Sequence, residues 1–187
     1  SAVDALNRDF RRLADDGGIA QGAGPDIEIE FCLATTDPQG NPHSGINRVD
    51  ASATANYSTQ GIDEDVNGLE LKALSKWPTA DYVNIWIVRE INNQGEFGEW
   101  NGGTLGYAYP VSSSSSTNPG NNPSFNPGDG IVVVNFSLGN DPDFNEGWRI
   151  YNNFRFNRTL THEMGHHFNL QHPFVANTCS ETDCTTE

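Results

Sequence analysis

The sequence predicts an α/β fold, a sheet backed by two helices, and three observations predict it. An amphipathic helical repeat opens the chain, several short apolar runs of strand character follow, and a histidine-rich helical stretch lies near the end. At 187 residues there is room for one domain with a real core, and two would be cramped.

Val3, Leu6, Phe10 and Leu13 recur at helical spacing until Gly17-Gly18, which predicts an amphipathic helix over 3–14. Ile27, Ile29, Phe31 and Leu33 alternate with Glu28, Glu30 and Cys32, the periodicity of a strand, in which Cys32 reads as a buried thiol. Asp37-Pro38-Gln39-Gly40 is a turn signal. Residues 41–80 are polar and irregular, with a short helix expected near Leu69–Ser75.

Tyr82–Val88 is a second strand and Thr104–Tyr109 a short one, bounded by Gly102-Gly103 and Pro110. The stretch 111–130, with five consecutive Ser and then Asn, Pro and Gly, reads as a mobile surface insertion. Ile131–Phe136 is apolar on both faces, as a central strand must be. Asn157–Leu170 is the last helix. No internal repeat and no linker divides the chain.

Composition narrows the function classes. An apolar fraction of 35% with four Trp excludes a wholly disordered chain. No apolar run approaches the roughly 20 residues of a bilayer span, so membrane insertion is not expected. The opening Ser1-Ala2-Val3-Asp4 carries no signal-peptide pattern, and a mature, processed segment would look the same. A net charge of −15, with Lys72 and Lys76 the only lysines, argues against nucleic acid or an anionic membrane as partner. The acidity serves solubility, or in part calcium binding. For calcium, Asp63-Glu64-Asp65-Val66-Asn67-Gly68 opens like an EF-hand loop, but position twelve is Leu74 rather than a bidentate Glu, which favours a solvated acidic turn. Cys179 and Cys184, close together in a polar tail, point to disulfide chemistry and an oxidising compartment. Asn56, Asn135 and Asn157 begin glycosylation sequons by pattern, Asn135 being discounted because it lies in an apparent core strand.

The chemistry lies in residues 162–172, His-Glu-Met-Gly-His-His-Phe-Asn-Leu-Gln-His. His162 and His166 are four apart, so on a helix both rings leave one face and can reach one zinc ion at about 2.0–2.1 Å. Glu163 reaches the zinc-bound water rather than the metal. His172 joins them only if the helix breaks, and Asn169, which tolerates the left-handed conformation, is the natural hinge. Three His ligands leave a coordination position open, the mark of a catalytic site. There zinc would bring the pKa of the water to near 7 and polarise a carbonyl, with Glu163 as general base. A His-rich surface helix is the bland alternative; the third His at this offset makes the metal reading strong. His167 is expected on the outer face of this helix and His43 in a loop, neither as a ligand.

These residues resemble the zinc signature HExxHxxGxxH of the metzincin peptidases, and more narrowly the pappalysin family. The resemblance extends to Leu6-Asn7-Arg8-Asp9-Phe10, to Ile29–Ala34 with Asp37–Asn41 and Gly45–Val49, to Tyr82–Trp86, Leu105–Ala108 and Asp129–Val133, and to Arg158–Thr161 just before the motif. It implies a metzincin-type catalytic domain, a twisted mixed sheet with an early helix and a zinc-binding active-site helix, whose upper part, to the third zinc His, spans 1–187. It implies a secreted zinc-dependent endopeptidase acting on proteins or peptides, with the substrate antiparallel to the upper edge strand at Gly103, Thr104, Leu105, Gly106 and Tyr107. Gly102, Gly103 and Gly106 would let that second backbone approach.

Asn169 stands where most metzincins have Gly. The family also has a strand before the first helix and a methionine turn below the zinc, whereas the only Met here is Met164. The expectation is therefore a segment of a longer chain, with partners for Cys179 or Cys184 beyond it. The rival reading is a peptidase-derived binding or adhesion module that keeps zinc but no longer cleaves, against which the intact Glu163 counts.

Overall fold

A computed structural model describes residues 1–11, 26–92, 103–110, 130–138 and 158–172. Helix α1 covers Ala2–Arg11 and buries Ala5, Leu6 and Phe10; residues 12–14 of the expected helix lie outside the described residues. Its start is closed by Ser1, whose hydroxyl accepts from the Asp4 N–H at 3.3 Å while the Asp4 carboxylate accepts from the Ser1 hydroxyl at 2.9 Å.

The strand expected at 27–33 does not join a sheet among the described residues. Its alternation survives only in the middle, where Ile29 and Phe31 turn toward α1 and Glu28, Glu30 and Cys32 outward; Ile27 and Leu33 are exposed as well. The partner is a side chain: Phe31 N–H donates to Asn7 Oδ1 at 2.7 Å, and Asn7 Nδ2 donates to the Phe31 carbonyl at 2.8 Å. Asn7 supplies both bonds that a neighbouring strand would have supplied. Glu28, at φ 57°, also departs from extended geometry. Cys32 is consequently an exposed free thiol, not the buried one expected.

The turn at Asp37–Gly40 forms as expected, with Gly40 at φ 84° and its N–H donating to the Asp37 carbonyl at 2.9 Å. The irregular region contains two short helices, α2 (Tyr57–Gln60) and α3 (Gly68–Ala73), the second close to the helix expected at Leu69–Ser75. The acidic turn before α3 is a structural one. Asn67, the residue at the EF-hand's fifth position, is buried, accepts from Asp63 N–H and donates to the Ala55 and Gly61 carbonyls.

The sheet has three strands: β1 (Ile85–Val88), β2 (Gly106–Ala108) and β3 (Ile131–Val134), in the order β1-β3-β2. β1 runs parallel to β3 with Ile85 opposite Ile131, and β2 runs antiparallel with Tyr107 opposite Val132. All four residues of β3 are buried, as the expectation of a central strand requires, and a 3₁₀ turn at Asn135–Ser137 follows it. The mixed three-stranded sheet with its helices makes the described part α/β.

Because successive side chains leave opposite faces, β3 serves two cores. Val132 and Val134 pack with Trp86, Val88, Ile62, Leu71 and Ile91 on one side. Ile131 and Val133 pack on the other with Leu6 and Phe10 of α1 and with Leu160 and Met164 of the last helix, α4 (Arg158–His167). Each fully buried Leu, Ile or Phe contributes roughly 1.5–3 kcal/mol. The insertion expected over 111–130 lies outside the described residues except for Gly130.

Candidate metal centre and cleft

α4 lies against the sheet by an apolar stripe, Leu160 and Met164, at helical spacing. Its first turn is tied to α1 by Asp9, whose carboxylate takes the Arg158 guanidinium at 3.0 Å and the Thr161 hydroxyl at 2.5 Å. That anchor fixes where the next turn, with His162 and Glu163, stands.

The helix ends where the third ligand needs it to. Asn169 adopts φ 67°, its N–H donates to the His166 carbonyl at 2.8 Å, and Leu170 N–H donates to the Gly165 carbonyl at 3.0 Å. This is the Schellman arrangement, with Asn in the place usually held by Gly. The reversal returns the chain over the last turn and brings His172 beside His162 and His166, so the hinge assigned to Asn169 is found there.

The three Nε2 atoms lie 2.9 Å from one another in every pair. His166 Nδ1 faces the Leu170 carbonyl at 2.8 Å; a carbonyl only accepts, so Nδ1 carries a proton, and in the neutral ring that binds metal Nε2 is a bare lone pair. Two N–H groups at most then remain for three close pairs, and at least one pair of nitrogens has nothing between them. A cation coordinated by all three lone pairs removes the conflict. The His residues are thus close enough to hold a metal ion, and they are the cluster of this kind among the described residues. Burial, and then any charge on His166 and His172, pushes the pKa of His162 below its ordinary value, which keeps that ring in the neutral form that binds metal.

Glu163, next to the first His in sequence, is 6% exposed. Burial raises its carboxyl to about 7, an effect that a charged His166 partly offsets. Gly106 makes room for it: a Cβ there would lie 2.9 Å from Glu163 Cγ, 2.9 Å from the Val132 carbonyl oxygen and 3.1 Å from Val133 Cγ1. The missing side chain of Gly106 therefore opens space inward, for Glu163, and not outward for a second backbone as the sequence led us to expect. Gly102 lies outside the described residues.

A cleft of about 600 Å³ runs between α4 and the edge strand, and Gly103, Thr104, Leu105, Gly106 and Tyr107 line it together with His162, Glu163, His166 and His172. All nine residues singled out in the sequence therefore meet at one place. Arg158, Thr159 and Ala108 line it too and were not foreseen. His167 is a correction. It is 3% exposed rather than on the outer face, and its Nδ1 donates to the Tyr109 carbonyl at 2.6 Å. It stands three and seven residues after Met164 and Leu160, the buried stripe, which was the available signal. His43 is a loop residue as expected, its Nδ1 accepting from Gly45 N–H and its ring edge-on to Trp77.

No model of a known protein family matches the chain, and no curated protein matches it.

Cys179, Cys184 and the Asn157 sequon lie outside the described residues, and no helix among those described is long and apolar enough to cross a membrane.

Proposed function

We propose that this chain is the metal-binding part of a secreted zinc endopeptidase of metzincin type, close to the pappalysins, acting on proteins or peptides. The observation that carries the reading is the convergence of three ring nitrogens, 2.9 Å apart in each pair, in a cleft that also holds a buried carboxylate from the same helix. Neutral imidazoles suit zinc, whereas calcium prefers oxygen. Held by His162, His166 and His172, zinc would supply Lewis-acid chemistry at a carbonyl and at water.

The chain's own groups do the rest. Glu163 takes the proton of the attacking water on a carboxylate oxygen and gives it to the departing amine, as a C–O bond forms and the C–N bond breaks. Its buried setting favours the protonated form, and the carboxylate needed to begin would be favoured by a cation held at the three His residues. β2 lies at the sheet edge among the described strands and runs along the cleft. An extended substrate at Gly103–Tyr107 would add to the sheet antiparallel to it, presenting one carbonyl to the site.

Metal analysis and cleavage of a peptide library by the purified protein test the reading together. About one zinc per chain with cleavage is expected. Zinc without cleavage would leave the silent binding module as the better description, and a folded protein that takes up no zinc would end both.

A further inference from the structure

Lys72 of α3 is 3% exposed, and its Nζ lies 4.3 Å from the ring centroid of Tyr109, 5.1 Å from that of Tyr107 and 5.6 Å from that of Trp86. It stands on the face of the sheet opposite α4, with Leu71 in the core beneath β1 and β3. A Leu or Met would fill the space without the cost of desolvating an ammonium. A cation there is attracted to the faces of these aromatic rings, most strongly where water is excluded. Two of the three rings belong to the edge strand and its end.

β2 needs such help. It is three residues long and pairs with β3 alone among the described strands. On the α4 side His167 Nδ1 donates to the Tyr109 carbonyl at 2.6 Å. On the far side Lys72 holds the Tyr109 ring, and the Tyr107 ring stands edge-on to it at 5.8 Å. The end of the strand is gripped from both faces of the sheet.

We propose that Lys72 is a positioning residue, which fixes β2 at its height over the metal centre and so sets the edge that an extended ligand meets. It touches neither metal nor cleft; it acts through Tyr107, which lines the cleft, and through Tyr109. What the edge is used for rests on the peptidase reading; that Lys72 holds it does not.

The test compares Lys72→Met and Lys72→Arg with the original zinc-loaded protein. The first keeps a long stem without the charge, and the second keeps a cation. Amide hydrogen exchange at Gly106–Ala108 should accelerate roughly three- to tenfold in Lys72→Met, with exchange in α4 and bound zinc unchanged, and should return to its original rate in Lys72→Arg. For a peptide of about eight residues KM should rise by a similar factor with kcat nearly constant.

Should Lys72→Met fail to fold, Tyr109→Leu takes its place and should accelerate the same three amides. Original exchange rates in Lys72→Met or its substitute, or acceleration spread evenly over the whole molecule, would overturn the proposal. Absence of any cleavage by the original protein would count against the peptidase reading, and the exchange rates would still decide the role of Lys72.

Discussion

Glu163 stands in a conflict that its surroundings both create and relieve. Burial pushes its carboxyl to about 7 from 4.5, so without a metal the fold favours the protonated acid. In the metal-free protein the group therefore contributes stability below about pH 4.5 that is lost as the pH rises toward 7, on the order of 3 kcal/mol. Unfolding of the metal-free protein, followed across that range, should show this slope, and Glu163→Gln should flatten it. With zinc bound the carboxylate is favoured and the slope should shrink. In the loaded protein Glu163→Gln should keep the metal and lower turnover by about 10²–10⁴-fold, because the residue moves a proton and is not a ligand; cleavage at the original rate would remove Glu163 from the mechanism. Gly106 is its counterpart in β2. Gly106→Ala sets a methyl 2.9 Å from Glu163 Cγ and from a backbone oxygen, and should cost roughly 1–3 kcal/mol while lowering kcat, with zinc content the control.

At the scale of elements, the ligand set depends on how α4 ends. Asn169 at φ 67° allows the reversal, and a β-branched residue adopts that conformation poorly. Asn169→Gly should leave zinc affinity within about twofold, and Asn169→Val should weaken it by roughly tenfold or more. Equal affinities in the two variants would mean that His172 reaches the site without the left-handed turn. This hinge was legible in the sequence because three His at offsets of four and six leave the chain little choice. β3 was legible for a related reason, since an unbroken apolar run fits only a position buried on both faces. The segment 27–33 was not, because periodicity is silent about what the backbone bonds to, and without a neighbouring strand only Ile29 and Phe31 turn inward. There the partner is Asn7, a side chain 24 residues away. His167 shares the buried stripe of Leu160 and Met164, a helical pattern that the metal-ligand spacing of the neighbouring His residues overlays. Lys72 gave no signal, for a lysine on a short helix reads as solvated, and its aromatic neighbours lie on β1, on β2 and just past β2, more than ten residues away.

Across the whole molecule, the metal centre joins parts that the rest of the packing holds less directly. α1 and α4 share Asp9 and one core, the sheet supplies the cleft wall, and His172 belongs to the segment beyond the helix. Without a cation, three ring nitrogens converge with too few protons between them, which favours the helix end and its reversal opening apart. With zinc, one ion ties both sides of the Asn169 turn, and whatever binds only the folded state stabilises it by mass action. Free zinc at about a thousand times its Kd adds roughly 4 kcal/mol, or some 8–16 °C in Tm for a chain of this size. Chelation should lower Tm by that order, zinc should restore it, and His166→Ala should respond to neither. Acid should mimic chelation, and the burial that lowers the pKa of His162 defers the loss of its lone pair to lower pH. Millimolar calcium is the decisive control. On a chain of net charge −15 any divalent ion relieves self-repulsion, and that general effect would be reproduced by calcium or by salt. A site built from three imidazole nitrogens should respond to zinc and not to calcium, so equal stabilisation by the two ions would show that charge, and not this centre, carries the effect.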